Sequence, residues 1–259
     1  MLTTENYMFI LGGEDRETGD TLRGNQRFKI SSQEWKKCAD IPDHGRSNFS
    51  VSYFDTLFAL VGGYRENSYM ASRILCFNMS TLKWEGDNIE LRVKRLNSAT
   101  CFTQQFLYIF GGLTNSGEEA IAYAGEIERV EIHDLQNSTL AQQTKLVHIR
   151  ESDSHHLPYL KFMSGVAALI NPDQIMIFGG LRDPGYDEET DGLLFNWKNN
   201  IIYQFRENWG ITRTCFSEQP LVKGNTLFIS QQLFKGNPLF LKGTFKDNTL
   251  VFEEYPSSS

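Results

Sequence analysis

The sequence predicts an all-β fold built from five repeats of a four-stranded antiparallel sheet, and three observations carry that prediction. Strand-forming runs end in paired glycines at Gly12-Gly13, Gly62-Gly63, Gly111-Gly112 and Gly179-Gly180. The first two doublets are each followed by an aromatic residue with a Trp seven positions later: Phe28 with Trp35, and Phe77 with Trp84. Aromatic residues make up 13% of the 259-residue chain, which suits strands better than helices.

Taken in order, the elements support one another. The runs "YMFILGGED", "LFALVGGYR", "FLYIFGGLT" and "IMIFGGLRD" place the first glycines 50, 49 and 68 residues apart. A further step of about 50 reaches "LFISQQLF", a fifth unit in which Gln231-Gln232 replace the glycines. A glycine pair at the end of a strand lets the backbone take positive φ and lets a neighbouring sheet come close. Downstream, "FKISSQEW" and "FNMSTLKW" read as strand, polar turn and strand. The same spacing of seven joins Phe195 to Ile202 and Phe245 to Phe252, and most loosely Ile132 to Thr139 in "IHDLQNST". Upstream, Arg46 and Arg95 each stand sixteen residues before a first glycine, with Met163 at that count in the fourth unit and Cys215 in the fifth.

Two departures qualify the pattern. Only six residues precede the strand that leads to Gly12, so the first sheet is expected to lack its first strand, for nineteen in all. The interval from Thr139 to Gly179 is 40 residues, against 27 from Trp35 to Gly62 and from Trp84 to Gly111. The excess predicts an extended hairpin or a surface loop, a place where binding often sits.

With these residues in view, the chain resembles the kelch-repeat family: hydrophobic run, Gly-Gly, then a spaced aromatic and Trp. The resemblance implies a single β-propeller over residues 1–255, with repeats near 1–42, 43–91, 92–150, 159–207 and 210–255 and a tail at 256–259. It also implies a non-enzymatic scaffold or adaptor, of the kind found in ubiquitin-ligase and cytoskeletal assemblies. In such domains an Arg at the start of the innermost strand meets acidic or polar peptides at the channel mouth. Carried over, that gives Arg46, Ser47, Asn48, Arg95 and Asn97, with Tyr64, Arg65, Asn115 and Arg182 rimming the same mouth. The competing reading pairs Arg46 and Arg95 with acids of neighbouring sheets. An enzyme acting on a small molecule such as a sugar, and a structural subunit docking through the edge from Thr3 to Leu11, are the rival functions.

Other signals point away from chemistry. A net charge of −7 offers no basic field for nucleic acid, and no apolar run approaches the length needed for membrane insertion. Cys38, Cys76, Cys101 and Cys215 are widely spaced, as expected of reduced thiols in a cytoplasmic protein. His155-His156, near Glu151 and Asp153, has neither a second cluster nor metal-ligand spacing and reads as a solvated pair. The acidic stretch from Asp183 to Gly192 lacks calcium-loop spacing and reads as a charged loop, or as a contact for a basic partner. No cofactor is implied. Trp197 and Trp209, outside the repeat register, read as packing residues.

Overall fold

Five antiparallel blades follow one another along the chain as a five-bladed β-propeller. The computed structural model describes residues 2–42, 44–65, 69–115, 121–137, 141–150, 159–182, 191–208, 221–223, 226–231, 239–246 and 249–254. Blade 1 comprises β1 (Leu2–Thr3), β2 (Tyr7–Leu11), β3 (Asn25–Lys29) and β4 (Glu34–Lys37). Blade 2 holds β5 (Ser50–Phe54) and β6 (Leu57–Val61), then a small hairpin of β7 (Tyr64–Arg65) and β8 (Tyr69–Met70), then β9 (Arg73–Asn78) and β10 (Lys83–Glu90). Blade 3 repeats this with β11 (Ala99–Phe102), β12 (Phe106–Phe110), the hairpin β13 (Leu113–Asn115) and β14 (Ile121–Tyr123), and β15 (Glu128–Glu131). It continues through α1 (Ile132–Asn137) to β16 (Gln142–Gln143) and β17 (Lys145–Leu146). Blade 4 consists of β19 (Val166–Asn171), β20 (Gln174–Phe178), β22 (Asp191–Asn196) and β23 (Ile201–Asn208), with β18 (Phe162–Met163) paired to β21 (Leu181–Arg182) beside it. Blade 5 is β24 (Leu221–Lys223), β25 (Thr226–Gln231), β26 (Leu239–Lys246) and β27 (Thr249–Glu254).

The spacing of seven is explained by register. Phe28 lies opposite Trp35, Phe77 opposite Trp84, and Phe195 opposite Ile202. Each pair straddles a turn whose fifth residue beyond the aromatic is left-handed: Gln33, Leu82 and Asn200, at φ 56°, 58° and 56°. The side chain of Asn78 helps close one of these turns by accepting from the Ser80 and Thr81 amides.

The core lies between blades, because a four-stranded sheet has two faces and no partner of its own. Period-two alternation sends one set of side chains upstream, toward the preceding blade, and the other downstream. Phe9 of blade 1 meets Phe58 and Phe77 of blade 2 at ring-centroid distances of 5.4 and 6.2 Å. Ala59, Val61, Ile74 and Cys76 of blade 2 are buried against Leu107, Ile109 and Val130 of blade 3. Tyr108 and Phe110 of blade 3 face Phe195 of blade 4, and Phe178 and Phe205 of blade 4 meet Phe252 and Phe245 of blade 5. Trp197 is buried in the layer between blades 3 and 4, the packing role its sequence position suggested.

Three details correct the sequence reading. Blade 1 has a first strand: two residues suffice, Leu2 pairing with Phe9 and Thr3 with Met8, while buried Leu2 joins the cluster beneath. In the third repeat the segment expected as a hairpin is the helix α1, and the fourth strand comes from β17 in the longer link. Leu135 of α1 is buried between blades 2 and 3, over a register shift in β10 at Gly86. A Cβ on Gly86 would lie 2.1 Å from the Leu135 carbonyl oxygen, so glycine makes room for the helix. In blade 5, Phe245 pairs with Leu250 rather than Phe252, so the spacing of seven does not set the register there. The outer edges are also joined: β16 pairs in parallel with β10, and β27 in parallel with β23.

Candidate functional site

The channel mouth is built where each blade's doublet meets the lead-in to an innermost strand. The amides of Gly13, Gly63 and Gly112 donate to the carbonyls of Arg46, Arg95 and Phe162 at 2.8, 3.1 and 2.6 Å, each bond joining one blade to the next. The first glycines Gly12, Gly62 and Gly111 lie under the same carbonyls: a Cβ on Gly62 would stand 2.1 Å from the Arg95 oxygen. The second packs on its own blade, where a Cβ on Gly63 would stand 2.6 Å from the Ser47 oxygen. Gly112 and Gly180 are crowded within their own blades in the same way, whereas a Cβ on Gly13 would meet nothing within 4 Å, and there the backbone at φ 109° alone favours glycine.

This geometry also identifies the fourth-blade counterpart of the arginines. The residue there is Phe162, whose carbonyl takes the Gly112 bond, and not Met163 as counting suggested. Met163 instead pairs with Leu181, as Ser47 pairs with Tyr64 and Leu96 with Leu113. A register shift between Leu169 and Asn171 makes the blade 4 hairpin one residue longer and displaces the count.

The arginine side chains are interior, which corrects their assignment to the mouth surface. Arg46 Nη1 donates to the carbonyls of Gly62 and Arg73, both at 3.0 Å. Arg95 is 0% exposed, and its Nη1 donates to the carbonyls of Gly111 and Glu126 at 2.9 and 3.2 Å. Its Nη2 is ion-paired with the equally buried Glu128. Glu128 in turn accepts from the amides of Arg92 and Val93 at 2.9 and 3.0 Å and from the hydroxyl of buried Thr144. Carbonyls left unpaired where strands diverge at the glycines need donors, and a guanidinium carries five. Each arginine thus binds one blade through its carbonyl and its own blade through its side chain.

The surface of the mouth is made by other residues. Asn48, Asn97 and Ser164 occupy equivalent left-handed positions at φ 52°, 48° and 56°. A backbone chain links them, the Asn97 amide donating to Asn48 at 2.9 Å and the Ser164 amide to Asn97 at 2.7 Å. Asn48 is exposed, Asn97 half-buried and Ser47 buried. Beside them stand the two small hairpins, β7–β8 and β13–β14, tied to the lead-ins by the Ser47–Tyr64 and Leu96–Leu113 bridges. Tyr64 is half-buried, and Arg65 and Asn115 are exposed. The most exposed large apolar side chains on these hairpins are Tyr69 (63%) and Ile121 (62%), neither singled out from the sequence. The backbone of Arg182 pairs with Phe162 at a third equivalent place.

The titration shifts lie elsewhere. Burial pushes the Cys101 thiol up to about 12 and Cys76 further still, and it raises Tyr108, all between blades. A shallow cleft is lined by Pro42, Leu75, Cys76, Trp84, Glu85 and Gly86. Among the described residues no group of three His, Cys, Asp or Glu is placed to hold a metal ion. His155-His156, the acidic stretch at 183–190, Trp209, Cys215 and the tail at 256–259 lie outside the described residues. No helix among the described residues is long and apolar enough to cross a membrane.

No family model matches the chain. Among curated proteins it is similar to Kelch repeat and BTB domain-containing protein 1 of ectromelia virus, 27% identical over 77 residues, 30% of this chain and 14% of that protein. It is likewise similar to the protein of that name from vaccinia virus strain Copenhagen, 29% identical over 68 residues, 26% of this chain and 12% of that protein. The match therefore spans about one seventh of the relatives' length. Glycine doublets that join successive blades, aromatic and Trp residues facing each other across outer hairpins, and this similarity are together consistent with the kelch-repeat family on a five-bladed β-propeller.

Proposed function

We propose that the propeller is a non-enzymatic interaction module whose protein partner docks on the mouth carrying the β7–β8 and β13–β14 hairpins. One observation carries this reading. Two hairpins at equivalent places in neighbouring blades hold Tyr69 and Ile121 out to solvent at 63% and 62% exposure. Exposed aromatic and aliphatic anchors on a rigid scaffold, edged by polar groups, suit a protein surface better than a small substrate. Asn48, Asn97, Tyr64, Arg65 and Asn115 form the polar surround, and Arg65 favours a partner with acidic or polar groups. The relatives' names include a BTB domain, so an adaptor role in a ubiquitin-ligase or cytoskeletal assembly is the proposed setting. The cytoplasm is the proposed compartment, supported by the free thiols of Cys38, Cys76 and Cys101.

The test is affinity capture of partners by the full chain, quantified by mass spectrometry, against Tyr69→Ala, Arg65→Ala and Ile121→Ala. All three positions are at the surface, so thermal stability is expected to hold while recovery of the specific partner falls about tenfold or more for Tyr69→Ala. Unchanged recovery in all three variants would remove the mouth as the docking site.

A further inference from the structure

In two blades the outermost strand is covered along its outer side, and in blade 1 it is not. β16 runs beside β10, and β27 beside β23, both in parallel. The blade 1 sheet ends at β4, with no strand beyond it among the described residues, and Glu34, Trp35, Lys36 and Lys37 are all exposed. This edge belongs to the rim of the propeller, so the packing of one blade face on the next leaves it open. The ladder shows which backbone groups it presents. The Cys38 amide donates to the Asn25 carbonyl at 2.9 Å, and from there the bonded pairs alternate to Lys36 with Arg27 and Glu34 with Lys29. The amides and carbonyls of Trp35 and Lys37 therefore point away from the sheet. Such an edge is a template for another backbone, and the two residues of β16 show that a short segment is enough.

The side chains beside this edge are basic, in a chain whose net charge is −7. Arg27 and Lys36 stand directly opposite each other, a like-charge pair that repels across two strands. The Arg27 guanidinium lies over the Tyr7 ring at 4.4 Å, and its buried Nε has no hydrogen-bond partner. Among the described residues neither Arg27 nor Lys36 is ion-paired with an acid. Lys37, on the opposite face of β4, meets Asp40 at 3.4 Å in an exposed pair of the kind that contributes little. Arg27, Lys29, Lys36 and Lys37 thus stand against Glu34 and Asp40. Lysines on the edge also keep a second copy of the same edge away, since pairing would bring like charges together.

We propose that β4 is a docking edge for an extended acidic segment of a partner protein, which adds to blade 1 as a further strand on the rim. The outward amides and carbonyls of Trp35 and Lys37 require a peptide backbone, which a nucleic acid does not supply. Neighbouring acidic residues in that segment point to opposite faces, so one carboxylate meets Lys36 and Arg27 and the next meets Lys37. The site is a second one, beyond the docking proposed at the mouth.

The experiment is fluorescence anisotropy of the labelled peptide Val-Thr-Glu-Glu-Thr-Val with the full chain. Wild type is compared with Lys36→Glu/Lys37→Glu, with the milder Lys36→Ala, and with Tyr69→Ala at the mouth. All of these positions are exposed, and circular dichroism verifies that the variants fold. A second peptide carries N-methyl groups at alternate residues and cannot complete a ladder, and a single-stranded oligonucleotide of equal charge serves as a plain polyanion. The expected result is saturable binding to wild type with a dissociation constant below about 1 mM. It is weakened about tenfold or more in Lys36→Glu/Lys37→Glu and by N-methylation, less in Lys36→Ala, and is unchanged in Tyr69→Ala. Amide hydrogen exchange is expected to slow at Trp35 and Lys37 when the peptide is bound. Absence of saturable binding, equal binding of the N-methylated peptide or the oligonucleotide, loss in Tyr69→Ala, or unaltered exchange at Trp35 and Lys37 would overturn the proposal.

Discussion

Replacing Arg95 by alanine separates a structural arginine from a ligand-binding one. The side chain is fully buried, and removing it strips donors from the carbonyls of Val93, Gly111 and Glu126. The Glu128 carboxylate, also fully buried, keeps the Arg92 and Val93 amides and the Thr144 hydroxyl but loses its cation. Breaking a buried pair from one side typically costs about 3–5 kcal/mol, because the remaining charge has no water to turn to. For a chain of this size that corresponds to a fall of roughly 6–20 °C in melting temperature. Differential scanning calorimetry reads the shift directly. The double variant Arg95→Met/Glu128→Leu removes the orphaned charge but still withdraws the partners of the Val93, Gly111 and Glu126 carbonyls and of the Arg92 and Val93 amides, so it is expected to recover only part of the loss. An Arg95→Ala protein that melts within about 2 °C of wild type would refute the argument. If it also lost its partner, the arginine would return to the mouth as a ligand contact.

Two further tests probe the blade junctions. Gly62→Ala places a Cβ 2.1 Å from the Arg95 carbonyl oxygen at φ 63°, whereas Gly19→Ala, at φ 75°, meets nothing within 4 Å. Gly19→Ala is expected to cost about 1–2 kcal/mol of backbone strain, and Gly62→Ala more than twice that, by urea denaturation; equal losses would mean that the blade junction yields to the added carbon. The buried Cys101 thiol, raised by desolvation from 9.0 to about 12, gives a pH signature. Above pH 9 the unfolded chain releases this proton and the folded chain holds it, so stability falls as pH rises, by about 1.4 kcal/mol per pH unit up to about 12. Cys101→Ala should make the decline of the urea midpoint between pH 9 and 10.5 shallower by that amount, and a parallel decline would count against a protonated buried thiol.

The legible parts of the fold were those dictated by backbone geometry. A glycine doublet advertises positive φ and close approach, and both were found, between blades at Gly62 and within a blade at Gly63. A spacing of seven advertises a hairpin with a turn of fixed length, and it failed in blade 5, where Phe245 pairs with Leu250. The site was less legible because its decisive partners are remote in sequence. Nothing local tells whether an arginine will reach water or the carbonyls of Gly111 and Glu126, and Glu128 reads as an ordinary strand acid until the ion pair forms. One extra residue in the blade 4 hairpin was enough to exchange Phe162 for Met163 in the count. The segment "IHDLQN" is too short for periodicity to distinguish a helix from a turn, and its packing over Gly86 decided the matter.

The mouth separates what holds the propeller together from what its surface presents. The bonds from Gly13, Gly63 and Gly112 across to the next blade, and those joining Asn48, Asn97 and Ser164, run between backbone groups. They constrain φ at a few positions but leave the hairpin side chains free of any part in them. Arg46 and Arg95 extend this arrangement from beneath by meeting carbonyls rather than solvent. Tyr69 and Ile121 therefore sit on a platform whose stability does not depend on them. Substitutions at the hairpin tips should change what is bound while leaving the melting temperature unchanged, and substitutions at the buried arginines should do the reverse.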